Sequence, residues 1–93
     1  QLAGVVYVRL HELGQRHLEV PPSCVKKYAT GKGNAKKVDV LQAAWKRLGY
    51  EGTDDNEADA LWLRAVGMEL LGEPVVDVPA LHRTALDKLR GGS

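Results

Sequence analysis

The adjacent prolines Pro21 and Pro22 constrain this chain more than any other feature of its sequence. Proline has no N–H for a sheet ladder, so the run "HLEV" before them reads as a short strand that must stop there. After the prolines, every segment reads as helix or connection. A lone strand cannot satisfy its own backbone polar groups. The expected content, mostly helix with about one strand, therefore calls for a sheet supplied by more of the same protein or by strand exchange with a second chain.

Residues 2–13, "LAGVVYVRLHEL", carry two signals. Val5, Val6 and Val8 favour a strand, whereas the length and the Leu2/Val6/Leu10/Leu13 spacing favour a helix ended by Gly14, and the helix is the expectation. Ser23 suits an N-cap for the short helix "CVKKYAT", which should end at Gly31. Gly33 and Asn34 form a turn, with Asn34 capping "AKKVDVLQAAWKRLGY", whose apolar stripe would be Val38, Leu41, Ala44, Trp45 and Leu48. "EGTDD" is a loop. Asp54 and Glu57 have capping-box spacing for "NEADALWLRAVGMELLG", with Leu61, Ala65, Met68 and Leu71 facing a core. "EPVVDVP" is an extended connection, and "ALHRTALDKLR" a last, weakly amphipathic helix.

A chain of 93 residues buries only about 60–65% of the surface its unfolded form exposes, so its stability margin is thin. It has no Phe, so the core must use Leu, Val, Ala and the aromatic residues Tyr7, Tyr28, Tyr50, Trp45 and Trp62. The single cysteine, Cys24, excludes an internal disulfide, fits a reducing cytosol and has no base partner, so it reads as a packed residue. No apolar run approaches the roughly 20 residues that span a membrane. The start "QLAGVVYVRL" has neither a Met nor the basic lead of a signal peptide and reads as a cut inside a larger protein. The closing "GGS" reads as a linker or tag. His11, His17 and His82 lack metal or triad spacing and read as surface or packing residues.

A net charge of +1 conceals strong segregation. Lys26, Lys27, Lys32, Lys36 and Lys37 form a basic block free of acids. Glu51, Asp54, Asp55, Glu57 and Asp59 form an acidic block free of bases. The basic block includes "YATGKGNAKK", which has the texture of a phosphate-binding loop. No Ser or Thr follows Lys36 or Lys37 and no strand precedes the loop, which excludes a Walker site; a third glycine is missing for a dinucleotide loop. A tight turn, a helix N-terminus and flanking lysines remain, a combination suited to nucleic-acid phosphates or to a plain solvated helix–turn–helix connection. In "DDNEADAL", Asp55 and Asp59 are four apart and Asn56 and Asp59 three apart, so each pair shares a helix face. Such oxygen ligands suit Mg²⁺ or Mn²⁺. Acids in a first turn also stabilise the helix dipole, which accounts for Asp54 and Glu57 but less readily for Asp59, set close to the apolar Leu61-Trp62-Leu63.

The segment "PSCVKKYATGKGNAKKVDV" resembles the part of RuvC-type Holliday junction resolvases that runs through Val-Lys and Gly-x-Gly-x-Ala-x-Lys into a helix. "DDNEADALWL" resembles their final motif, Asp-x-x-Asp-Ala-Leu, and "QLAGVVYVRL" the helix just upstream. The order and spacing agree over roughly residues 1–72, in a form similar to phage-encoded or actinobacterial members. The resemblance implies the C-terminal part of an α/β, RNase H-like fold, with residues 73–90 as an extension and 91–93 as the linker or tag. It implies a homodimeric, Mg²⁺-dependent (or Mn²⁺-dependent) endodeoxyribonuclease of the bacterial cytoplasm that nicks branched DNA during recombination and repair. Asp59 takes the place of the last catalytic carboxylate. Asn56 falls where members carry Asp or His, and a shift of one residue would put Asp55 there instead. Lys26 and Lys37 fall on DNA-contacting lysines; Lys27 and Lys32 are expected backbone contacts beside them.

The family's first catalytic Asp and its Glu precede the region this chain matches. A two-metal site cannot be completed from Asp55, Asn56 and Asp59 alone. The full protein is therefore expected to be a nuclease and this piece inactive by itself. The competing reading is a small helical DNA- or protein-binding module without chemistry, in which Asp59 is only surface.

Overall fold

The computed structural model describes residues 4–10, 14–87 and 89, with the backbone alone for 4–10 and 14–19. The chain begins with strand β1, Gly4–Leu10, and strand β2, Gly14–Val20. They pair antiparallel, from Gly4 opposite Val20 to Leu10 opposite Gly14. The expected helix over 2–13 is thus a strand over its described residues. The β-branched Val5, Val6 and Val8 are stiff at χ1 and fit a pleated ladder, and β2 supplies the partner that local spacing could not reveal. Gly14 opens β2 rather than ending a helix. The strand before the prolines does exist, but it is paired within the chain, which corrects the expectation of a lone strand. Leu2 and Leu13, half of the proposed helical stripe, lie outside the described residues.

Helix α1, Pro22–Thr30, starts at the prolines. Pro22 takes the first helical position, where a missing N–H costs nothing, and the Pro21 carbonyl accepts from the N–H groups of Cys24 at 3.0 Å and Val25 at 3.3 Å. Ser23 is therefore not the N-cap. Gly31 ends the helix as expected, at φ 89°, and donates its N–H to the Lys27 carbonyl at 2.7 Å. A side chain there would also collide with His82, whose Nε2 would lie 2.8 Å from a Cβ.

Helix α2, Lys37–Arg47, begins later than expected. Asn34 does not cap it; Lys36 stands at the cap, and the Asp39 carboxylate accepts the Lys36 N–H at 3.1 Å. Its buried face is Val40 and Ala44, with Leu41 and Leu48 half-buried, while Val38 and Trp45 are exposed. Helix α3, Asp55–Leu70, is capped by Asp54, which accepts the Asn56 N–H at 2.9 Å. Here too the inward face differs from the apolar reading. Ala58, Trp62, Ala65 and Val66 are buried, Met68 is half-buried, and Leu61 and Leu71 are exposed. A connection, then α4, Ala80–Arg83, and a 3-10 turn, Thr84–Leu86, complete the described chain; the expected single last helix is broken at Thr84.

Trp62 decides these faces. It is fully buried, its indole N–H donates to the Val40 carbonyl at 3.2 Å, and it meets the Tyr28 ring edge-on at 5.9 Å. Beneath it the Tyr28 hydroxyl donates to Glu69 Oε1 at 2.7 Å, and Arg83 Nε donates to both Glu69 oxygens at 3.2 Å. His82 Nδ1 lies 3.1 Å from the Tyr28 carbonyl, so this histidine packs, as expected. Val76, Val78, Ala85 and Leu86 from beyond residue 72 join the same core. The result is a helical body with a two-stranded hairpin, compatible with the C-terminal part of a RuvC-type fold.

Candidate functional site

The first turns of α3 gather the acids. Asp54 is spent on the cap, Asp55 is half-buried, Asn56 is exposed, and Asp59 is only 4% exposed. Four residues of helix separate Asp55 from Asp59, which puts both on one face. Burial pushes the Asp59 carboxyl above its ordinary range, and the neighbouring Asp55 charge adds to the rise. The Lys37 ammonium, at the start of α2, pulls the other way. The tertiary fold thus brings together the expected last carboxylate and one of the expected DNA lysines, 22 positions apart in sequence.

The other lysines are spread over α1 and the turn after it. Lys26 and Lys27 are half-buried on α1, whereas Lys32, in the turn, is exposed, as is Lys37. Thr30 holds the turn: its hydroxyl lies 2.8 Å from the Lys26 carbonyl and accepts the Lys32 N–H at 3.1 Å. The "TGKGNAKK" stretch is a structured connection between two helices, as its glycines suggested.

Sequence reasoning missed the clamp on the loop before α3. The Tyr50 hydroxyl donates to Glu57 Oε1 at 2.6 Å and accepts the Asp54 N–H at 3.2 Å. Glu57 therefore holds Tyr50 rather than returning to the cap residue, which corrects the expected capping box. Glu57 in turn raises the Tyr50 phenol above its ordinary range, since an acceptor favours the protonated form. The Trp45 indole donates to the Gly52 carbonyl at 2.6 Å. A Cβ at Gly52 would lie 2.5 Å from the Tyr50 oxygen, so a larger residue there would push the ring aside. The available signal was the "GYEG" run, where aromatic and glycine residues stand together in a short loop.

By donor type, Asp55, Asn56 and Asp59 suit a hard cation. Among the described residues, no three His, Cys, Asp or Glu side chains converge on one point.

Over 69 residues the chain is 38% identical to the crossover junction endodeoxyribonuclease RuvC of Synechococcus sp. (strain WH7803). This likeness supports a RuvC-like portion. It covers 72% of this chain and 45% of that relative, so the chain spans less than half the relative's length. No family model matches the chain, and no solved structure matches it. No helix among the described residues is long and apolar enough to cross a membrane.

Proposed function

We propose that this chain is the C-terminal portion, over residues 1–72 with an extension at 73–90, of a Mg²⁺-dependent endodeoxyribonuclease that resolves branched DNA. The observation that carries the reading is Asp59, a carboxylate buried at 4% exposure within a RuvC-like stretch, beside Asp55 and within the field of Lys37. A carboxylate held where its charge is costly suggests a functional site. In the complete protein Asp59, with Asp55 or Asn56, supplies oxygen ligands, and the remaining acids come from upstream. Bound Mg²⁺ or Mn²⁺ would stabilise the charge that develops on the cleaved phosphate. Lys26, Lys27, Lys32 and Lys37 hold backbone phosphates without reading sequence. A homodimer would present two such sites to a two-fold symmetric junction and nick it symmetrically. A phage-encoded or actinobacterial origin and a cytoplasmic setting accord with the motif form.

The test is Asp59→Asn in the full-length protein, assayed on a synthetic four-way junction with Mg²⁺. Cleavage should vanish while junction binding persists. Cleavage near the wild-type rate would remove Asp59 from the mechanism.

A further inference from the structure

On the side of α2 that carries Trp45, the turn after α1 and the helix enclose an open groove of about 680 Å³. Lys32, Lys46 and Arg47 line it, against a single carboxylate, Asp39. Three cationic side chains against one carboxylate leave the groove with a net cationic wall. Its floor is small, formed by Ala29, Ala35 and Ala43. Trp45 is the large ring on its wall, 42% exposed, and its N–H is tied to the Gly52 carbonyl at 2.6 Å. The indole is thus held in place before any partner arrives, which lowers the entropy lost on binding. Of the lysines placed on the junction above, Lys32 also lines this groove, whereas Lys26, Lys27 and Lys37, and Asp59 and its neighbours, do not.

We propose that the groove is a second DNA-strand site, separate from the carboxylate face, in which Lys32, Lys46 and Arg47 take backbone phosphates and the Trp45 ring stacks on a base. The proposal rests on the nuclease reading above and extends it: the strand held here belongs to a part of the branched substrate away from the scissile phosphate. The chemistry favours DNA over a protein partner. An apolar helix would need large hydrophobic walls, and this groove offers small alanines and three cations around one ring. A cationic track with an aromatic platform is the usual way of holding a nucleic-acid strand whose bases are accessible.

The experiment uses the full-length protein and a four-way DNA junction, without Mg²⁺ for binding and with it for cleavage. Trp62 is fully buried, so quenching of indole fluorescence by DNA should come from Trp45 and be lost in Trp45→Phe where Trp45 is the reporter. Inorganic polyphosphate, which has charge but no bases, should not quench. Trp45→Ala should weaken binding at least about fivefold. The double variant Lys46→Ala/Arg47→Ala, at an exposed and a half-buried position of α2, should lower the slope of log K against log salt by about 1.8. If the double variant binds and cleaves like wild type, the groove site is refuted and the nuclease reading stands. If wild type neither binds nor cleaves the junction, both fail together. Equal quenching by polyphosphate refutes stacking. A change in oligomeric state with unaltered DNA binding assigns the groove to a second copy of the chain and overturns the proposal.

Discussion

Replacing Tyr28 by Phe removes one oxygen from the centre of the core and little else. Tyr28 is fully buried and its ring meets Trp62 at 5.9 Å, a contact that Phe preserves. What is lost is the 2.7 Å hydrogen bond to Glu69, a carboxylate only 8% exposed. A hydrogen bond to a charged group contributes about 1.5–3 kcal/mol. Arg83 still reaches both Glu69 oxygens at 3.2 Å, so the carboxylate keeps a counter-charge. That places the loss in the lower half of the range, about 1.5–2 kcal/mol. The neighbouring Arg83–Asp77 pair, 3.8 Å apart with Asp77 fully exposed, is too screened to compensate. For a domain of this size the loss corresponds to a fall in Tm of roughly 6–16 °C. Urea unfolding followed by tryptophan fluorescence measures it, with an unchanged m-value confirming that only stability moved. A cost below about 0.5 kcal/mol would mean that Glu69 is already hydrated and that the buried Tyr28–Glu69–Arg83 network does not hold the helices together.

Asp59→Asn should stabilise the protein at neutral pH. The folded carboxyl titrates above its unfolded value of 3.8, so the folded state binds its proton more tightly. The stability this confers is present below pH 3.8 and is lost as pH rises through the folded value. Thermal melts of both proteins from acid to neutral pH check this, and a wild type that loses no stability relative to the variant over that rise would contradict it. Gly52→Ala should displace the Tyr50 ring and bring the Tyr50 phenol back toward its ordinary range in an ultraviolet titration; an unchanged titration would show that the clamp is not formed. In the full-length protein, Lys37→Ala should lower the salt slope of junction binding by about 0.9, and an unchanged slope would leave Lys37 a solvated surface group. The 93-residue chain should self-associate, because among the described residues each strand of the hairpin is paired on one side only. Sedimentation equilibrium at micromolar concentration would refute this with a clean monomer mass near 10.1 kDa.

Local chemistry alone determined the breakpoints. Pro21 and Pro22 end a strand and start a helix, Gly31 closes that helix at positive φ, and Asp54 caps α3, because each depends on a residue's own backbone and its immediate neighbours. The basic and acidic blocks were equally legible as composition. Tertiary structure decided what periodicity could not. Residues 4–10 are a strand because β2 offers a ladder from seven residues of the same chain, a non-local gain that outweighs a helical spacing of leucines. Val40 rather than Val38 faces inward on α2, and Leu61 yields to Trp62 on α3, because the largest ring claims the space between the helices and sets their rotation. Asp59 was visible as an acid near an apolar run, but its burial and its nearness to Lys37 arise only when α2 and α3 pack. The Tyr50 clamp was hidden for the same reason: a phenol reveals its partner only when a loop folds back on the helix it precedes.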